Sequence, residues 1–184
     1  GINIGDGCWG GHHIDYCDVF DTVKETGDHG SFNSWARDRW WGAKGVDHDS
    51  LAAGPDSRLP VLDAVLPITL SNTRWRCDHG WDIDLDDGST NYHIHNNLCL
   101  NGGLKLREGF FRTCENNILV NNALHPHVWY NDSQDVFRHN IMFASYRPIG
   151  MRKWSREIDF NLLHQGGSQE TRPAAVLQLL SSND

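Results

Sequence analysis

An asparagine returns every 20 to 23 residues in this chain, each time in the same short setting. The settings are His93-Ile94-His95-Asn96-Asn97-Leu98, Thr113-Cys114-Glu115-Asn116-Asn117-Ile118, Val136-Phe137-Arg138-His139-Asn140-Ile141 and Glu157-Ile158-Asp159-Phe160-Asn161-Leu162. A fixed period of this size marks stacked repeats, each one supersecondary unit that buries its core only against its neighbours. Residues about 20 apart in sequence then become neighbours in space. The pattern extends backwards through Leu70-Ser71-Asn72-Thr73 and, more weakly, Ile14-Asp15-Tyr16-Cys17. Six coils are therefore expected, near residues 14, 70, 94, 114, 137 and 158. Within each coil apolar and polar residues alternate, the signature of a half-buried strand. The expected fold is all-β, a right-handed parallel β-helix whose coils stack about 4.8 Å apart. The asparagines at the bend should hydrogen-bond amide to amide. An antiparallel sandwich, the alternative, would need strands every 8–12 residues or so and hairpin turns between them.

A chain of 184 residues suffices for a single domain with a sizeable core. The net charge of −8 disfavours a nucleic-acid surface, which needs a basic footprint. No apolar run approaches the ~18 residues that cross a membrane as a helix. The five cysteines are odd in number and form no Cys-x-x-Cys pair, and Cys114 takes the inward place of Ile94. Residues 42–67 break the period and read as an insertion between the first and second coils, either a binding loop or a plain linker. The best helix candidate is 173–180. Neither end offers the cap a solenoid requires, so a portion of a longer chain is expected.

Stacking the segments that follow the asparagines places Asp82, Ile83, Asp84, Leu85 and Asp86 beside Gly103 to Arg107, and these beside His127 to Asn131. Ile83, Leu104 and Val128 then point inward, as do Leu85, Leu106 and Tyr130. The outward face becomes a grid of Asp82, Gly103 and His127; Asp84, Lys105 and Trp129; Asp86, Arg107 and Asn131, with Asp87, Glu108 and Asp132 at the strand ends. Crowded carboxylates with charge partners are how enzymes tune pKa values. The plainer reading is that Lys105 and Arg107 neutralise Asp84 and Asp86 across the ladder. Carboxylates on adjacent coils would lie roughly 5–6 Å apart, close to the spacing of a retaining glycosidase pair. Asp86 or Asp87 with Glu108 meets that spacing, one ionised and the other protonated.

A second cluster runs from Asp28 to Trp41 and echoes Asp78-His79-Gly80, so it should occupy the equivalent strand one coil earlier. Asn33, Trp35, Arg37, Asp38 and Arg39 would suit a sugar, with indole for its C–H face and polar groups for its hydroxyls; Trp40 and Trp41 could equally be core. Asp82-x-Asp84-x-Asp86 resembles the opening of an EF-hand loop, but Asp87 stands where that loop needs glycine. No metal site is assigned; calcium on the outward carboxylates remains open as a cofactor. His125 and His127 could bind zinc, but no third ligand is evident.

The asparagine column, the strand Trp81 to Gly88 and the segment His29 to Arg39 together resemble parallel β-helix carbohydrate-active enzymes, over most of the chain. More loosely, a Leu-Asp strand followed one coil later by a Glu strand is similar to β-helix β-xylosidases. That likeness implies Asp86 as nucleophile and Glu108 as acid/base. This chain departs from it in carrying Asp87 beside Asp86 and Arg107 before Glu108, which leaves the choice between the two aspartates open. The resemblance implies a glycoside hydrolase acting on a polysaccharide or oligosaccharide, monomeric and extracellular or periplasmic. The alternatives are a polysaccharide lyase with Lys105 or Arg107 as base, and a β-helix that only binds glycan.

Overall fold

The computed structural model describes residues 1–5, 9–37, 39, 43–154 and 156–164. Among these residues seventeen short strands follow one another, in threes through five coils and as a pair in the sixth. The first coil holds β1 (Ile2–Gly5), β2 (His13–Asp15) and β3 (Asp18–Val19), and the second holds β4 (Gly30–Trp35), β5 (Ile68–Ser71) and β6 (Arg74–Trp75). The third has β7 (Trp81–Leu85), β8 (Tyr92–His95) and β9 (Leu98–Cys99); the fourth has β10 (Leu104–Leu106), β11 (Arg112–Glu115) and β12 (Ile118–Leu119). The fifth has β13 (Leu124–Pro126), β14 (Val136–Arg138) and β15 (Ile141–Met142), and the sixth closes with β16 (Glu157–Asp159) and β17 (Leu162–Leu163). Every pairing is parallel, and corresponding strands of successive coils are neighbours, giving three sheets: β1-β4-β7-β10-β13, β2-β5-β8-β11-β14-β16 and β3-β6-β9-β12-β15-β17. This is a right-handed parallel β-helix, the hand that parallel crossovers adopt. The candidate helix at 173–180 lies outside the described residues.

Inward side chains stack in register and fill the core. Ile2, Phe32, Ile83, Leu104 and Leu124 form one column of the first sheet. Ile14, Leu70, Ile94, Cys114, Phe137 and Ile158 run along the second. Val19, Trp75, Cys99, Leu119, Met142 and Leu163 run along the third. Each fully buried Leu, Ile, Phe or Met of these columns contributes about 1.5–3 kcal/mol. Cys17, Cys77, Cys99 and Cys114 are free thiols, the last three buried.

One corner is the same in all six coils. Two residues separate the second-sheet strand from the third-sheet strand, and the first of them takes a left-handed conformation: Tyr16, Asn72, Asn96, Asn116, His139 and Phe160, with φ between 47° and 57°. Asparagine tolerates that region better than most residues, which explains its place there in three coils. The second residue carries the hydrogen-bonded column. Asn97 Nδ2 donates to Asn117 Oδ1, Asn117 Nδ2 to Asn140 Oδ1 and Asn140 Nδ2 to Asn161 Oδ1, each at 3.0 Å. Each amide also donates to a carbonyl of the coil before, such as Asn117 Nδ2 to Ile94 O at 3.0 Å. Buried amides are thereby satisfied coil after coil.

The other two corners vary. The long segment expected between the first and second coils instead joins β4 to β5, two strands of one coil. It contains two 3-10 turns, Leu51–Ala53 and Leu59–Val61. Arg37, fully buried, ties its end to the frame by donating to Thr90 O and Asn91 O at 2.6 Å and to Leu66 O.

Candidate functional site

The outer face of the first sheet carries a charged cluster, assembled by register. Asn33 of β4, Asp84 of β7, Lys105 of β10 and His125 of β13 are consecutive partners across the ladder. Immediately after these strands stand Asp86, Arg107 and His127: Arg107 N donates to Leu85 O and His127 N to Leu106 O, both at 2.8 Å. The strand ends are held from coil to coil. Asp86 N donates to Ser34 O at 2.8 Å, Ala36 N to Asp87 O at 2.5 Å and Gly88 N to Glu108 O at 2.8 Å. Beneath them, Arg112 and Asp135 form a fully buried bidentate pair, and Arg112 Nη1 donates to the carbonyl of Arg107 at 2.5 Å.

Two cations organise five carboxyl groups. Lys105 Nζ lies 3.1 Å from Asp84, 3.3 Å from Asp86 and 3.8 Å from Asp28. Arg107 Nη1 lies 3.3 Å from Asp86, and its Nε is 2.9 Å from Asp87 and 2.8 Å from Glu108. Asp84 Oδ1, Asp87 Oδ1, Glu108 Oε2 and Arg107 Nε are all shielded from solvent without an aligned hydrogen bond among the described residues. Their contacts with Lys105 and Arg107 are ion pairs rather than aligned hydrogen bonds.

Burial and crowding raise two of these carboxyls. Burial pushes Asp84 up to about 7, against the pull of Lys105 and with the push of Asp86 and Asp28. Asp87 reaches about 6, through burial, then the charge of Asp86, with a hydrogen bond to Glu108 also holding its proton. Lys105 is pulled down by burial but raised on balance by Asp84 and Asp86, and Arg107 likewise by Glu108, Asp87 and Asp86. Both remain cations. His125 and His127 are lowered, first by burial; His127 is then lowered by Arg107 and Lys105, so both imidazoles are neutral at neutral pH. Their Nδ1 atoms are buried without a partner among the described residues. Trp81 stacks on His125 at 4.6 Å, with Lys105 Nζ 5.9 Å from its ring.

Asp84, Asp86, Asp87, Lys105, Arg107, Glu108, His127 and Asn33 are thus brought together, and the remaining sequence candidates are not. Trp129 does not stand on the outer face: it is 3% exposed, part of the core, and donates Nε1 to Leu106 O at 2.8 Å. The fifth coil pairs four residues earlier than the sequence reading placed it, so Leu124 rather than Val128 stacks on Leu104. His127 accordingly adjoins Arg107 rather than Gly103, and Asn131 and Asp132 leave the cluster. Asp82 is fully buried and caps a turn, accepting from the backbone N–H of Cys77 at 2.6 Å and of Asn101 and Gly103 at 3.0 Å. Gly102 is forced by the same close approach, since a Cβ there would meet Asp82 N at 2.2 Å. Arg37 is the buried clamp described above, and Arg39 pairs with Asp63 at the surface. Trp35, exposed, ends β4 with its ring over Gly5. The His29 segment does occupy the strand before β7, one residue out of the expected alignment, with Gly30 opposite Trp81. Asp38, Trp40 and Trp41 lie outside the described residues.

Trp81, His125 and Asp28 were not among the sequence candidates for this face. A signal for His125 existed: Leu104 follows Asn97, and Leu124 follows Asn117, by the same seven residues. Among the described residues no three His, Cys, Asp or Glu side chains converge as a metal-ligand set. Among known proteins, no family model, curated protein or solved structure matches the chain.

Proposed function

We propose that the protein is a glycoside hydrolase and that the Asp86, Asp87 and Glu108 cluster performs the cleavage. The observation that carries this reading is one guanidinium, Arg107, shared by three carboxyls from two adjacent coils. Glycoside cleavage asks for one carboxylate to meet developing positive charge and another group to deliver a proton to the leaving oxygen. Asp86, between Lys105 and Arg107, is the carboxylate and nucleophile. Asp87, whose proton is held by burial, the charge of Asp86 and a hydrogen bond to Glu108, acts with Glu108 as the acid/base pair. Lys105 and Arg107 hold the charge balance as carboxyls gain and lose protons. Both are protonated and paired, which disfavours the lyase reading that needs one of them as a base. The reaction as written calls for no metal, and calcium would compete with both cations for the same carboxylates.

The test is Glu108→Gln with a panel of neutral polysaccharides and aryl glycosides. The substitution should lower kcat by about 10²–10⁴ on substrates with poor leaving groups, and less on activated aryl glycosides. Products should be reducing sugars without the unsaturated, ultraviolet-absorbing end that a lyase leaves. Undiminished turnover in Glu108→Gln refutes the assignment.

A further inference from the structure

One residue beyond His127 begins the wall of a cavity that neither half of the proposed mechanism uses. It measures about 360 Å³ and is lined by Val46 to Asp49 of the insertion, by Val128 to Asn131, and by Gly150 and Arg152. That volume falls in the range of small-molecule sites. Its rim begins at Val128, the residue after His127, and His127 adjoins Arg107. The insertion wall is anchored, because Asp49 binds the opposite wall twice, through Oδ1 to Asn131 N and through its carbonyl to Asp132 N, each at 2.9 Å. His48 stacks on Tyr130 with centroids 5.2 Å apart, and the same ring lies 5.0 Å from Phe110. Asn131 Oδ1 is buried without a partner among the described residues.

We propose that this cavity is a subsite for a neutral sugar unit adjoining the bond to be cleaved, which makes the insertion a specificity element. The inference rests on the glycosidase reading and names its substrate class. Aromatic rings with a few fixed polar groups suit a polyhydroxyl ligand, whose C–H face packs on a ring while hydroxyls donate to acceptors. The acceptors are in place: Asn131 Oδ1 and the carboxylates of Asp47 and Asp49. Charge decides against a uronate. The cavity carries two carboxylates and one guanidinium, and that guanidinium lies 3.6 Å from Asp49. The nearby cations are also engaged, Lys153 by Asp132 at 2.8 Å and Lys105 and Arg107 by the cluster. An anionic sugar would meet uncompensated negative charge.

The experiment uses the full chain carrying Glu108→Gln, so that oligosaccharides bind without turnover. Neutral gluco-, xylo- and manno-oligosaccharides of increasing length, and oligogalacturonates as the anionic set, are titrated while the imidazole signals of His48 are followed by NMR. The expected result is that a neutral series shifts the His48 signals, and that His48→Ala or Asn131→Ala weakens its binding about tenfold, roughly one good contact. The spectra of the unmutated site keep the result readable if a variant disturbs the insertion. Neutral glycans that bind without moving His48 overturn the subsite and leave the hydrolase reading standing. Tighter binding of oligogalacturonates overturns the substrate class. Binding by no glycan overturns both.

Discussion

At the scale of the residue, the cluster is governed by where protons reside. Asp87 keeps its proton below about 6. If that proton serves the leaving group, the rate falls as pH rises through this value. Glu108→Gln removes a negative neighbour of Asp87, so the residual activity should lose its alkaline limb at lower pH than the wild type, as a pH–rate profile would show. Asp84 makes a stability prediction of definite sign. Its folded-state pKa of about 7 lies above the usual 3.8, so the folded state favours the protonated form. The stability this lends is present at acid pH and is lost as pH rises through about 7. Asp84→Asn removes that dependence, and its Tm should therefore gain on the wild-type Tm between about pH 4 and pH 8. A difference that stays flat with pH would contradict the raised pKa.

At the scale of the element, the buried pair beneath the site ties catalysis to packing. Arg112 donates to the Asp135 carboxylate through Nε at 2.8 Å and Nη2 at 2.5 Å, and also holds the carbonyl of Arg107. Ser133 Oγ donates to the same Asp135 carboxylate at 2.8 Å. Arg112→Met leaves a buried carboxylate uncompensated and should cost about 3–5 kcal/mol in urea unfolding. A cost below about 1 kcal/mol would show that the pair adds nothing to the frame. Strand pairing also explains what was legible from sequence and what was not. The invariant corner made the coils countable, so β7 and β10 fall into the expected register and Asp84, Asp86, Lys105 and Arg107 fall together. The fifth coil was misplaced because the corner from β13 to β14 is longer than the one from β10 to β11, and His127 to Asn131, which lie in that corner, were taken for the strand. Asp82 and Arg37 were misread for another reason. Alternation tells inward from outward within a strand, but neither the bond from Cys77 N to Asp82 nor the three carbonyls around Arg37 leave a local mark in the sequence.

At the scale of the whole molecule, the six coils share one short corner and differ at the other two. One extra residue between Asn116 and Asn117 would break the amide column and turn the following strand over, since side chains alternate faces with a period of two. That insertion should abolish cooperative unfolding of the native β-helix. A single serine added at Gly54, in the segment joining β4 to β5, should cost under about 1 kcal/mol, because lengthening a surface loop changes its closure entropy little. Comparable losses from both would show that the two kinds of corner are not distinct.

The first sheet is the one bounded on both sides by the variable corners. A coil can therefore lengthen its rim on either side of Lys105 and Arg107 without disturbing the spacing between them. Cleft shape and frame rigidity are set by separate stretches of chain, so this architecture allows descendants to change what they grip while keeping the same cutting edge.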